Sequence, residues 1–252
     1  MEDSTLMSQK KDSEPSYWVA SKEPRYALAL VLPMVVIYQV GLVAQAHWGE
    51  GAPEVRNVAD LYVQWVMDRF GLGGHLASGV VVIAVLVGWQ LLGGRGWRLR
   101  LGHVVGMVLE SLFYALVLLL SYRVVILPLR EALLAAGSGD GRLAQQLVLG
   151  LGAGVYEEFL FRLVLIGCVS YLFRCAGAGR VSSGVVASVV AAVAFSTFHL
   201  VSEPFEPFAF MFRTFAGLVF AGFFFLRGFG ITTGTHAFFN VILSLLSLVR
   251  AS

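Results

Sequence analysis

The chain has 252 residues, of which 58% are hydrophobic and only 13% charged, with a mean hydropathy of +0.78. A soluble domain has too little interior to hide that much apolar surface, so composition excludes an ordinary water-soluble protein and points to a polytopic membrane protein. The formal net charge of +2, from 18 basic and 16 acidic residues, gives no electrostatic footprint for nucleic acid, and none is expected as a partner.

In chain order, residues 1–25 are polar and hold Lys10, Lys11, Lys22 and Arg25. The apolar run 26–43 is long for a signal peptide and no small-residue cleavage site follows it, which predicts a first transmembrane helix. Residues 57–70 place Val58, Leu61, Tyr62, Trp65 and Val66 at helical spacing with Asp60 and Asp68 off the stripe, the pattern of an amphipathic interfacial helix. Crossing the hydrocarbon core takes about 20 residues of helix at 1.5 Å each. On that measure further spans are expected over 76–92, 104–122, 152–173, 181–200, 208–226 and 231–249. The predicted fold is all-α, a polytopic transmembrane helix bundle of about seven spans (six to eight). Basic residues gather before the first span and, as Arg95, Arg98 and Arg100, after the second, which places the N-terminus in the cytoplasm. Cys168 and Cys175 have neither disulfide nor zinc-ribbon spacing and are expected to be packing residues.

Ionisable groups inside a span cost roughly 2.5–3.5 kcal/mol each at its centre, so each needs a reason. The segment Gly154-Val155-Tyr156-Glu157-Glu158-Phe159-Leu160-Phe161-Arg162 concentrates that cost. Glu158 and Arg162 are four apart, neighbours on one helix face, and can offset each other's desolvation. Glu157 lies about 100° further round and is left to face something else. His199 follows Phe195 by one turn, and His236 and Asn240, four apart, point the same way from an otherwise apolar helix. Each cluster alone is compatible with helix packing. Together they hold the parts of a hydrolase: a carboxylate and an imidazole to activate water, and an imidazole with an amide to donate to an oxyanion.

The ordered set Glu-Glu-x-x-x-Arg at 157–162, Phe-x-x-x-His at 195–199 and His-x-x-x-Asn at 236–240 resembles the CPBP family (CAAX protease and bacteriocin-processing), which includes the type II CAAX prenyl endopeptidases. The resemblance implies an intramembrane glutamic endopeptidase. Glu157 and His199 would activate water, His236 and Asn240 would form the oxyanion hole, and Glu158, Arg162 and Phe195 would support them. It also implies no cofactor, and a membrane-associated peptide or protein substrate, lipidated substrates included. The expected division is a polar cytoplasmic segment (1–25), N-terminal membrane helices (26–142) with an interfacial helix near 57–70, and a CPBP-like catalytic core (143–252).

Two rivals stand beside this reading. Glu157, His199 and His236 could form a zinc site, although the compact His-Glu-x-x-His arrangement is missing. A non-catalytic transport or immunity protein would keep the same residues for packing or ion passage, with Glu110 in the third span as part of the path, in a structural hydrogen bond or as a charge partner for Arg162. A Gly-x-Gly-Asp string ends at Asp140 in a glycine-rich loop, with no second aspartate inside a span. The spans as drawn also set Glu157 and His199 near one face and His236 nearer the other, about 10–15 Å away. For the motifs to meet, the fourth helix must begin near Leu143 or the region 205–230 must depart from one straight span.

Overall fold

The computed structural model describes residues 15–45, 55–94, 96–121 and 143–251. The loop around Asp140 and most of the polar N-terminal segment lie outside the described residues. The elements are α1 (Tyr17–Ala20), α2 (Pro24–Gln45), α3 (Val58–Arg69), α4 (Ala77–Leu92) and α5 (Leu101–Ser121). A long helical run follows: α6 (Leu143–Gly152) passes through π-helical turns at Ala153–Glu157 and Phe159–Ile166 into α7 (Gly167–Cys175). The chain ends with α8 (Arg180–Phe198), a 3-10 turn at His199–Val201, α9 (Pro207–Arg227) and α10 (Phe229–Ala251).

Among the described residues there is no strand, and the predicted all-α bundle is what forms. Among the described residues five helices are long and apolar enough to cross a membrane, α4 is a shorter apolar helix, and residues from Leu143 to Cys175 form a continuous helical run. The expected start of the fourth span at residue 152 is corrected to Leu143. Glycine-rich sequence ahead of the run obscured its polar first turns, Gln145 and Gln146 included. The shift carries Glu157 about 20 Å into the bundle, while His236, seven residues into α10, enters about 10 Å from the opposite end. Two helices running in from opposite faces of a ~30 Å core therefore meet at these residues.

Small residues let the helices close. At Gly154 a Cβ would lie 2.6 Å from both the backbone nitrogen and the Cβ of Ala237, and at Gly150 it would lie 3.1 Å from the Cβ of Asn240. Van der Waals packing between close backbones is the main cohesive force available in lipid, and it needs such positions. Gly152 leaves room for the Tyr38 ring from α2. Gly228, the single residue joining α9 to α10, has φ +85°, a left-handed conformation open to glycine, and its missing side chain admits the backbone of Lys22.

The helix predicted near 57–70 forms as α3, and its apolar stripe faces outward: Leu61, Tyr62, Trp65 and Val66 are exposed. The opposite face packs inward through Ala59, Val63 and a fully buried Asp60, which binds Arg56 and the Tyr38 hydroxyl. Cys168 and Cys175 are exposed, so the packing role expected for them is corrected. They fall on a stretch of α7 with no buried residue.

Glu110 makes a structural hydrogen-bonded pair, one of the expected alternatives, though with a different partner. Its partner is Arg227 at the end of α9 rather than Arg162, with Arg227 Nη2 donating at 2.7 Å and the Tyr17 hydroxyl donating to the same carboxylate. Burial, followed by the Glu110 carboxylate, pushes the Tyr17 hydroxyl above its ordinary range. The Arg227 guanidinium lies 3.8 Å over the Trp18 ring, so the cluster fastens α1 to α5 and α9.

Candidate active site

Glu157 and Glu158 lie where the α6–α7 run widens into π-helical turns. Such turns shift the angular spacing of side chains and recur at functional sites. Here both adjacent carboxylates reach one imidazole on α10. His236 Nδ1 lies 2.7 Å from Glu158 Oε1, and His236 Nε2 lies 3.9 Å from Glu157 Oε2. All three residues are buried, at 6% exposure or less.

Glu158 is shared. Its second oxygen lies 3.0 Å from Nε of Arg162, one turn on and 1% exposed. A charge buried this deeply is sustained only with an opposite charge and polar or aromatic groups close by. Arg162 has the carboxylate, the Gly217 carbonyl at 3.4 Å, and the faces of Phe195 and Phe220 at 4.8 and 5.4 Å. The expectation that Glu158 and Arg162 pair is met, and Glu158 has the added task of holding His236.

Phe195 is the packing hub, its ring centroid 4.9 Å from that of His199 and 6.2 Å from that of His236. His199 Nδ1 lies 2.9 Å from the Phe195 carbonyl, which can only accept, so this nitrogen carries the proton. Nδ1 of His236 faces a carboxylate and donates likewise. Both imidazoles are thus fixed through Nδ1 and present Nε2 as the nitrogen available for chemistry. Asn240, half-buried one turn past His236, packs against Gly150.

The structure therefore gathers Glu157, Glu158, Arg162, Phe195 and His236 in direct contact, with His199 joined through Phe195 and Asn240 following His236 on α10. Among the described residues no group of three His, Cys, Asp or Glu side chains could hold a metal ion, and Glu157, His199 and His236 do not converge as one.

Two contacts escaped the sequence reading. Phe220 from α9 stacks on His236 with centroids 4.7 Å apart and planes 18° apart. Asn57 donates from Nδ2 to Glu157 Oε1 at 3.0 Å. A phenylalanine among the many of α9 carries no signal of its own. Asn57 carries one, as an N-cap residue opening a predicted helix, but nothing local shows what the other end of its amide reaches.

Fold and site define the class: an all-α polytopic membrane protein with a buried Glu–Glu–Arg–His constellation where its helices meet. Residues 140–242 match the family described as Type II CAAX prenyl endopeptidase Rce1-like, which bears out the CPBP resemblance carried by the three motifs and implies a peptide hydrolase. No curated protein and no solved structure matches the chain.

Proposed function

We propose that the protein is an intramembrane glutamic endopeptidase that cleaves a peptide bond of a membrane-associated substrate. The approach of Glu157 Oε2 to His236 Nε2 at 3.9 Å, inside an apolar bundle, carries the reading. A carboxylate acceptor and an imidazole held by its far nitrogen face each other, the pairing a hydrolytic site needs.

Glu157, with His199 Nε2, takes a proton from water as its oxygen attacks the scissile carbonyl carbon. The resulting oxyanion accepts hydrogen bonds from Asn240 and from His236, which donates at Nε2 when it is protonated there as well as at Nδ1. Each such donor is typically worth roughly 3–4 kcal/mol in the transition state. The C–N bond then breaks and the leaving amine receives the proton held at the Glu157 side. No covalent enzyme intermediate and no cofactor enter these steps. The matched family's description names CAAX prenyl substrates, so a peptide ending in a prenylated cysteine motif is the first substrate to try.

Purified protein in lipid nanodiscs, given a farnesylated CaaX peptide and its unprenylated twin, should release a C-terminal fragment identifiable by mass. Absence of cleavage of these and of other membrane peptides, with solute flux through proteoliposomes instead, would favour the non-catalytic reading.

A further inference from the structure

The family-matched segment supplies the acid, the histidines and the arginine, yet the hydrogen bond to the Glu157 carboxylate comes from outside it, 100 positions earlier in the chain. Asn57 uses every polar group it has. Its backbone N–H donates to the Tyr38 hydroxyl at 3.1 Å, and its Oδ1 accepts from the Ala59 N–H at 2.8 Å, capping α3. That cap fixes the orientation of the amide: Oδ1 must face the helix N–H, so the NH2 group must face Glu157. Behind it, Tyr38 donates to Asp60 at 2.8 Å and Arg56 pairs with Asp60, which anchors the cap to α2.

We propose that Asn57 is a positioning residue for Glu157, and that α3 is the element through which the N-terminal half sets the catalytic geometry. With Oε1 engaged by Asn57, Glu157 keeps Oε2 on the His236 side, so one oxygen is held and the other works. The same helix reaches the other half of the water-activating pair: the Tyr62 ring packs 5.1 Å from Phe198, the residue before His199. The remaining charged groups around Glu157 are engaged elsewhere, Glu158 with Arg162 and His236, and Asp60 with Arg56 and Tyr38. The activity part of this inference rests on the proteolytic reading, whereas the contact itself can be tested without substrate.

Asn57→Ser keeps an N-cap oxygen, because serine caps about as well as asparagine, and removes the donor that spans to Glu157. It should lower kcat about 10- to 100-fold, the range expected for a hydrogen bond to a charged group, leave KM unchanged, and lower Tm by only a few degrees, so that the folded fraction is preserved. A merely structural residue would show a lowered Tm with full kcat per folded molecule, and that result would overturn the proposal.

The substrate-free arm is a double-mutant cycle on Tm. Asn57→Asp keeps the cap but sets a second carboxylate against Glu157, and Glu157→Gln in the same chain restores the hydrogen bond with its polarity reversed. The double variant should melt about 2–4 °C or more above the sum of the single effects. Additive effects would overturn the proposal whatever the activity assay shows. Undiminished cleavage by Glu157→Gln alone would instead remove Glu157 as the water activator and leave the contact to the cycle.

Discussion

His236 donates from Nδ1 to Glu158 at 2.7 Å while its Nε2 points toward Glu157. Adjacent carboxylates thus hold opposite sides of one ring, and their tasks differ because only Glu158 is also tied to Arg162. Glu158 orients the ring, which leaves Glu157 as the carboxylate proposed to react.

Arg162 should be indispensable for folding rather than for the chemical step. Arg162→Ala removes a fully buried cation and leaves Glu158 without its counter-charge, a loss of about 3–5 kcal/mol for such pairs. Melting of the detergent-solubilised protein should show a large drop or failure to accumulate. A variant with native Tm would mean that the pair does not hold this part of the bundle.

Gly154→Ala should damage activity without touching a reacting group. The added methyl meets the Ala237 backbone at 2.6 Å, next to His236, so α10 must move away from the carboxylates. A displacement of about 1 Å can cost on the order of 100-fold in rate. Gly167→Ala, on the same helical run with nothing within 4 Å of the new carbon, is the matched control and should retain full cleavage.

These residues show what the sequence could and could not reveal. The expense of charges in lipid singled out Glu157, Glu158 and Arg162, and the four-residue spacing correctly paired Glu158 with Arg162. The same spacing placed Glu157 away from its neighbour, whereas the π-helical widening brings both onto His236. Arg227 ends an apolar run, which in sequence gives no sign of a buried partner, and only tertiary packing shows it buried against Glu110. Asn57 was visible as a helix opener, but its contact with Glu157 spans 100 positions and has no periodicity to betray it.

Glu110→Gln tests the rival use of that residue in ion passage. Its carboxylate is tied to Arg227 and Tyr17 at the α1 end of the bundle rather than to Glu157 or His236. The variant should lower Tm through the uncompensated Arg227 and leave the cleavage rate per folded molecule unchanged. A variant of native stability that had lost activity would assign Glu110 to the reaction.

Chelation separates water activation by Glu157 from a zinc mechanism. Protein dialysed against a strong divalent-metal chelator should cleave at its original rate, because the proposed steps use only side chains and water. Activity lost on chelation and regained with zinc would demand a metal site that these side chains, as arranged, do not form.

The most direct measurement is single-turnover cleavage of a farnesylated CaaX peptide in nanodiscs by the native protein and by Glu157→Gln, with Tm recorded for both. Glutamine matches the shape of glutamate but is a far weaker base, so Glu157→Gln should fold, bind the peptide and cleave it at least about 100-fold more slowly. Cleavage at the native rate by a folded Glu157→Gln protein would contradict the assignment of Glu157 as the group that activates water.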